Sequence, residues 1–180
     1  MPSEPSSKPM PFLRNGRDDA GPSPSVASPI DPVEEFVSLN REPIDRLATF
    51  IDFAEGFTIG FVEINFLADL NILIRQLAQH PDCQEAQFIE FDLGDPNLRF
   101  LKDELLSRLQ APRLEPDKKP VLWLKGLEQS IGMSGEYPPM LADLNFVRDA
   151  YTDQVPYLVL FCLPDYAINR VIKFAPDFWS

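Results

Sequence analysis

Four short segments of the chain have the hydrophobic pattern of β-strands. They cover residues 57–64, 86–92, 121–124 and 157–163, and they are rich in β-branched and aromatic side chains. The last two are uniformly apolar, which is typical of central parallel strands that helices cover on both faces. Residues 86–92 alternate apolar and polar side chains instead, and this pattern predicts an edge strand with one solvated face.

Segments with apolar residues at helical spacing separate these strands. They predict helices that begin near Glu42-Pro43, at Asp69, at Leu98, near Met140 and at Asp165. Strands that alternate with helices favour right-handed crossovers between parallel strands. The pattern therefore predicts an α/β fold, a three-layer sandwich with a mainly parallel sheet of about four to five strands.

The first 32 residues differ in composition from the rest. They hold 8 of the 19 prolines, together with six serines and two glycines. The segment has too few apolar side chains to offset the entropy that the chain would lose on ordering. We therefore interpret residues 1–32 as a disordered tail and residues 33–180 as a single domain. Phe12 and Leu13 are the only bulky apolar pair in the tail, either incidental or a short docking motif. A native chain that continues past Ser180, with truncation of the domain there, stays an open alternative.

The charge of the chain excludes several classes of partner. There are 28 acidic and 16 basic residues, a formal net charge of −12. Nucleic acids and anionic membranes attract basic proteins, so neither is an expected partner. No apolar run reaches the ~20 residues of a membrane helix, and the N-terminus lacks the pattern of a signal peptide. These features predict a cytoplasmic protein.

The residue types that usually bind zinc are few and scattered. Cys83 and Cys162 are 79 positions apart, and His80 is the one histidine. We expect Cys162 to be buried in the last strand, Cys83 to lie in a polar loop and His80 to lie at a helix end. The sequence therefore predicts no disulfide framework and no metal site.

Ligands of a parallel α/β sheet collect where the strands end, so the residues after each strand are the candidates for a site. Residues 65–69 follow the first strand without the glycines, lysine and Ser or Thr of a phosphate-binding loop, and we interpret Asp69 as a helix cap. Glu128 follows the third strand, where a carboxylate can hold a water or act as a base. Asp165 follows the fourth strand as a helix cap, with Arg170 on the exposed side of that helix. The alternative for this loop is a γ-phosphate sensor.

Three segments also resemble a known family. They are residues 121–128 (VLWLKGLE), 155–167 (VPYLVLFCLPDYA) and 175–180 (APDFWS). Together they resemble the N-terminal domain of STAND-type signalling proteins, an AAA-like group of P-loop NTPases, especially cyanobacterial members with tetratricopeptide repeats. The resemblance covers about residues 41–180. It implies a signalling context and a helical region after the Phe-Trp motif.

The resemblance also assigns positions to a nucleotide site. It implies that Asn65 to Asp69 stand at the phosphate loop, Glu128 at the acidic position and Pro164-Asp165 at the sensor position. The Gly-Lys-Ser/Thr loop and the aspartate before Glu128 are both missing. Asn65, Asp69 and Asp165 are thus cofactor-binding candidates by position only, and Glu128 is the catalytic candidate.

These observations lead to one main hypothesis and two alternatives. The main one is a non-catalytic, P-loop-NTPase-like module, a pseudo-ATPase that takes part in protein interaction or regulation and uses no cofactor. The first alternative is a divergent ATPase that binds ATP and Mg²⁺ through the backbone of residues 65–69. The second is a scaffold whose acidic surface and aromatic C-terminus join a larger assembly. The sequence leaves open whether the chain forms an oligomer.

Overall fold

The computed structural model describes residues 31–146 and 148–179, and for Arg148 and Trp179 it describes the backbone only. The predicted tail lies outside the described residues except for Asp31 and Pro32. Four strands are present in the described part: β1 (Thr58–Glu63), β2 (Ala86–Asp92), β3 (Lys119–Lys125) and β4 (Leu158–Leu163). The helices there are α1 (Pro32–Phe53), α2 (Leu67–Ala78), α3 (Leu101–Arg108), α4 (Glu128–Ile131), α5 (Pro139–Phe146), α6 (Arg148–Gln154), α7 (Asp165–Phe174) and α8 (Pro176–Trp179), and a short 3-10 helix spans Pro81–Cys83.

The four strands form one parallel sheet in the order β1-β4-β3-β2. The continuous apolar strands β3 and β4 occupy its centre, and both are buried along most of their length. The alternating strand β2 lies at an edge, where one face of a strand can remain solvated. The α/β class, the parallel sheet and these three strand positions confirm the predictions from the sequence.

Helices cover both faces of this sheet and complete the three layers. Helices α1 and α2 pack on one face, where Ala48, Ile51, Leu73 and Leu77 meet Val121, Trp123, Leu158 and Leu160. Helices α3, α5 and α7 pack on the other face, where Leu105, Leu141 and Val171 meet Leu122, Leu124, Val159 and Phe161. Successive residues of β3 and β4 therefore belong to opposite cores, as the two-residue period of a strand requires.

Helix α1 begins ten residues before the predicted start, so that prediction was wrong. Asp31 caps the helix by accepting a hydrogen bond from the Val33 N–H at 2.9 Å, and Pro32 occupies the first turn. The helix kinks at Asn40, whose φ of −115° is not helical. The kink precedes Pro43, because a proline ring collides with the carbonyl four residues earlier. The sequence signal at Pro43 therefore marked a kink within α1.

A lysine of the sheet holds the other end of α1. The Nζ of Lys119, at the start of β3, donates hydrogen bonds to the carbonyl oxygens of Ile51, Asp52 and Ala54 at 2.9, 2.5 and 3.1 Å. The last carbonyls of a helix have no partner within the helix, and a cation also complements its negative end. Lys119 therefore fixes the C-terminus of α1 against the sheet.

The remaining corrections are local. Helix α3 begins at Leu101 instead of Leu98, and α4 forms within a predicted loop. The described residues on both sides of position 147, in α5 and α6, are helical where a helix from about Met140 to Tyr151 was predicted. Cys83 is 3% exposed, not in a polar loop, because the 3-10 helix turns it into the core beneath α1 and α2. Cys162 is buried as predicted. Of the C-terminal aromatic residues, Phe178 packs back on the protein, with its ring 5.7 Å from Tyr151 and 5.6 Å from Phe161.

Candidate functional site

The C-terminal ends of β1, β4 and β3 meet at one crevice. Helix α2 leaves β1 on one face of the sheet and α7 leaves the neighbouring β4 on the other face, so the two connections diverge. Crevices of this kind are the usual ligand sites of parallel α/β sheets. The crevice has a volume of about 300 Å³, and its lining includes Asn65, Phe66, Lys125, Glu128, Pro164 and Tyr166.

The loop from β1 to α2 leaves no room for a phosphate cradle. Only residues 64–66 separate the two elements, whereas a phosphate-binding loop needs about eight residues, several of them glycines. The carbonyl of Phe66 accepts hydrogen bonds from the N–H groups of Asp69 and Leu70 at 3.1 and 3.2 Å. Two backbone donors at the start of α2 therefore already have a partner within the chain.

Asp69 does not cap α2, contrary to the prediction. Phe66 occupies the cap position without a side-chain hydrogen bond, and Asp69 is the third residue of the helix. The carboxylate still lies in the first turn, where a negative charge complements the helix dipole. Asp69 lines a different cavity, described below, while Asn65 lines both. The structure thus keeps Asn65 at the crevice and separates Asp69 from it.

Glu128 lies at the crevice as its position after β3 suggested. It is the first residue of α4 and is partly buried. Lys125, the basic residue of the crevice lining, donates from Nζ to Oε2 of Glu90 at 3.0 Å. Because this ion pair already engages the ammonium group, the charge available to compensate Glu128 or an incoming phosphate is reduced.

A glycine brings two loops together beside Glu128. Gly126 has a φ of +85°, and a Cβ at this position would lie 2.8 Å from the backbone N of Gly94. Only glycine permits both the left-handed conformation and this close approach. Gly126 therefore fixes the path of the chain from β3 into α4, and with it the position of Glu128.

Asp165 is not the cap of α7, so this prediction was also wrong. Pro164 holds the cap position, and Asp165 is the first helical residue, with its Oδ1 accepting a hydrogen bond from Asn169 Nδ2 at 3.0 Å. Asp165 is exposed and does not line the crevice. Its neighbours Pro164 and Tyr166 do, and Tyr166 is a residue that sequence analysis missed. The sequence signal that could have identified Tyr166 is its position directly after Pro164-Asp165, the predicted sensor position.

Arg170 is engaged away from the crevice. Its guanidinium donates to the carbonyl oxygens of Ile131 and Glu136 at 3.2 and 3.0 Å and lies 5.0 Å from the ring centre of Phe174. These contacts partly bury Arg170, whereas the sequence analysis placed it on the exposed side of the helix. Arg170 therefore holds the loop after α4 against α7, and this geometry does not place it as a phosphate sensor.

The electrostatic environment of the crevice disfavours anions. Burial raises the pKa of the Tyr166 hydroxyl, and the nearby carboxylate of Glu128 raises it further. Burial also raises the pKa of the Cys162 thiol to about 12, with Glu90 and Glu128 adding to the effect and Lys125 opposing it. Negative charge at these groups is thus penalised by lost solvation and by neighbouring carboxylates. The crevice lacks the features that stabilise a triphosphate.

A larger cavity lies between α1 and the edge strand β1. This α1–β1 groove has a volume of about 970 Å³. Its apolar lining includes Phe36, Leu39, Leu47, Phe50 and Val62, and its carboxylates are Glu35, Glu63 and Asp69. Leu39 is 75% exposed and Phe50 is 38% exposed, which is unusual for large side chains of a helix that packs on a sheet. The groove offers a mainly apolar surface with an acidic rim.

Comparisons with known proteins assign no family to this geometry. No protein-family model matches the chain, and no curated protein matches its sequence. Within residues 31–146 and 148–179, no three His, Cys, Asp or Glu residues are grouped so that they could hold a metal ion. In the same residues, no helix has both the length and the apolar character needed to cross a membrane. The fold and the crevice define the chain as a three-layer α/β protein with a parallel sheet.

Proposed function

We propose that this chain is a non-catalytic, P-loop-NTPase-like module that acts in the cytoplasm by binding another protein, within a signalling assembly. The three-residue loop between β1 and α2 is the observation that carries the proposal. It lies where the family resemblance implies a phosphate cradle, and it is too short to form one.

The arrangement of the strands supports the P-loop-like part of the proposal. Because β4 lies between β1 and β3, Asn65, Glu128 and Pro164 line the same crevice. These three residues stand at the positions that the resemblance implies for the phosphate loop, the acidic residue and the sensor. A module descended from a nucleotide-binding fold is expected to keep this juxtaposition even when its ligands are lost.

The charge at the crevice supports the non-catalytic part. A nucleotide triphosphate needs cations and free backbone N–H groups around its phosphates. Here Lys125 pairs with Glu90, and Phe66 accepts the N–H groups of Asp69 and Leu70. Glu128 then adds a negative charge where a phosphate would have to enter.

The α1–β1 groove supports protein interaction as the remaining role. It is more than three times the volume of the crevice, about 970 against 300 Å³, and several of its apolar side chains are accessible. Accessible apolar surfaces rimmed by polar groups are typical of protein-binding sites. Interaction through this groove does not require any ligand at the crevice.

Isothermal titration calorimetry of the full chain with ATP-Mg²⁺ and with ADP tests the proposal. We expect no binding heat up to ~1 mM nucleotide, the upper end of usual enzyme affinities, and the same flat trace for Glu128→Gln. Micromolar affinity that Glu128→Gln abolishes, or measurable phosphate release, would overturn the proposal and support a divergent ATPase. A thermal-shift series with the same nucleotides provides an independent readout of binding.

A further inference from the structure

Strand β1 lies at an edge of the described sheet, with β4 on its inner side and no described strand on its outer side. The N–H of Ile64 donates toward β4, to the carbonyl oxygen of Leu163 at 2.9 Å. Because backbone groups alternate in direction along a strand, Ile59 and Glu63 direct theirs to the outer edge, which borders the α1–β1 groove. An extended peptide can add to such an edge as a further strand.

Helix α1 has a second apolar stripe in addition to the one that packs on the sheet. The stripe on the sheet is buried and consists of Ile44, Ala48 and Ile51. The second stripe lines the groove at helical spacings of three or four residues and consists of Phe36, Leu39, Pro43, Leu47 and Phe50. No residue from 32 to 43 is buried, although these residues form the first half of the helix. Since an apolar helical face usually packs against another element, we interpret the second stripe as a contact surface.

Gly60 determines how closely α1 approaches β1. A Cβ at this position would lie 2.9 Å from the ring of Phe50 and 2.7 Å from Leu160, so the missing side chain permits the contact. The residues of α1 that line the groove extend from Phe50 back to Pro32, and they include Leu39, which is 75% exposed. A strand added to the outer edge of β1 would lie beside these residues, with every second side chain directed toward α1.

The rim of the groove selects for positive charge. Glu35, Glu63 and Asp69 make no hydrogen bond or ion pair through their carboxylates with any other described residue. Arg46, which also lines the groove, is paired with Glu42 one helical turn away. Three uncompensated carboxylates therefore face a segment that lies along β1, and basic residues at the flanks of that segment would compensate them.

We propose that the α1–β1 groove binds an extended segment of a partner protein, which adds to the outer edge of β1, directs alternate bulky apolar side chains toward α1 and carries Lys or Arg at its flanks. This inference rests on the proposed function, because it names the kind of partner that the module binds. The outward groups of Ile59 and Glu63 are about 13 Å apart along the strand, so a paired segment needs about five residues in extended conformation.

Charge distinguishes this occupant from a second copy of the chain. A second copy paired through the same edge would bring its own rim carboxylates to the joint, together with another net charge of −12. Like charges brought together across an interface oppose association, whereas basic flanks on a partner compensate the rim. The partner of stated chemistry is therefore the occupant that the groove favours.

Selection of a phage-displayed library of random peptides of about twelve residues on the immobilised full chain tests the proposal, since this length holds a five-residue strand and both flanks. We expect the enriched peptides to have apolar residues at alternate positions and basic residues on either side. Leu39→Asp should weaken binding of the enriched pool at least about tenfold. Phe146→Asp is the matched control and should bind like the parent chain, because it makes the same change of charge at a side chain that is 93% exposed on α5.

A second pair of variants tests the charge of the rim. Glu35→Gln should weaken binding about threefold and reduce its dependence on salt. Glu34→Gln is the control, since Glu34 lies in the same first turn of α1 but does not line the groove. An enriched pool without basic residues, a pool that binds the Leu39→Asp variant as well as the parent chain, or no enrichment at all would overturn the proposal.

Amide hydrogen exchange, resolved by NMR, tests whether the bound peptide is a strand. Saturation of the full chain with one synthetic peptide from the enriched pool should slow exchange of the Ile59 and Glu63 amides at least about tenfold. The same peptide with N-methyl groups on the residues that pair with β1 should lose this effect, because it lacks the donors of a strand.

Two exchange results would contradict strand addition by a partner. A selected peptide that binds without changing the Ile59 and Glu63 amides would show that it uses side-chain contacts alone. Protection of both amides before any peptide is added would show that the edge is already covered, by a second copy if the protection rises with protein concentration and light scattering gives a doubled mass. Neither result alters the nucleotide titration, so failure of this inference is distinguishable from failure of the proposed function.

Discussion

Replacement of Phe178 by alanine tests whether the C-terminal aromatic residues belong to the core of the domain. Phe178 is 2% exposed, and its ring meets those of Tyr151 and Phe161 edge to face at 5.7 and 5.6 Å. It lies in α8, close to the end of the chain, where terminal residues are often poorly packed. We expect Phe178→Ala to destabilise the entire domain.

The magnitude follows from the burial of the ring. Truncation of a buried phenylalanine costs ~3–5 kcal/mol through lost transfer energy and the cavity that remains. Each edge-to-face contact contributes ~0.5–1.5 kcal/mol beyond burial, and partial collapse around a terminal helix recovers part of the loss. We therefore expect a loss of about 4 kcal/mol from a free energy of unfolding that is typically ~5–15 kcal/mol. With a urea m-value of ~2 kcal/mol/M, the midpoint would fall by ~2 M.

Urea unfolding followed by tryptophan fluorescence measures this change, since Trp123 is fully buried in β3. Phe146→Ala is the matched control, because Phe146 is 93% exposed on α5 and its loss should change stability by less than ~0.5 kcal/mol. A midpoint within ~0.5 M of the parent chain for Phe178→Ala would refute the reasoning. It would indicate that the aromatic C-terminus serves assembly rather than the core.

The remaining predictions concern a helix end and three titratable groups. Lys119→Met should lower the free energy of unfolding, measured in urea, by about 2 kcal/mol, because the last carbonyls of α1 lose their charged donor. The control Lys118→Met removes an exposed ion pair and should lower it by less than ~0.5 kcal/mol. Burial raises the pKa of the Cys83 thiol to about 11 and that of Cys162 to about 12, so neither should react with iodoacetamide at pH 8 until urea unfolds the chain. Unfolded thiols ionise first, so both groups should make stability fall as the pH rises above about 9, and a thiol that alkylates in the folded chain would contradict this. Burial, aided by a neighbouring carboxylate, raises the pKa of Asp143. Its carboxyl stays protonated in the folded state at pH values where the unfolded chain ionises, so the stability that this group contributes should fall as the pH rises above the unfolded pKa. Asp143→Asn should remove this pH dependence from the urea midpoints.

The contrast between the two cavities has a consequence for function. The crevice occupies the place where a parallel sheet usually binds its ligand, yet its loop, its ion pair and its carboxylates all disfavour a phosphate. The α1–β1 groove lies beside an edge strand, where backbone groups can pair with an extended peptide. Under the proposed function, the interaction surface therefore lies at the sheet edge and not at the strand ends.

Local patterns were sufficient to predict the strands and the central or edge position of three of them. The apolar runs of β3 and β4 and the alternation in β2 are properties of consecutive residues, so their central and edge positions could be predicted from the sequence. The same holds for the absence of glycine and lysine after β1, which is visible in residues 65–69 without any structure. Helix boundaries were less accurate, because Asp69 and Asp165 are both good cap residues that the structure places inside their helices.

The sequence by itself determined that this chain forms a parallel α/β sandwich and that the first strand leads to no phosphate-binding loop, since both depend on residues adjacent along the chain. Only the tertiary structure decided which of the candidate residues meet. Asn65 and Glu128 share a crevice with Pro164 because β4 lies between β1 and β3. Asp69 instead lines the α1–β1 groove, because the cap of α2 is Phe66, three residues before the predicted cap. Contacts between residues far apart in sequence depend on strand order and packing, and no local pattern specifies those.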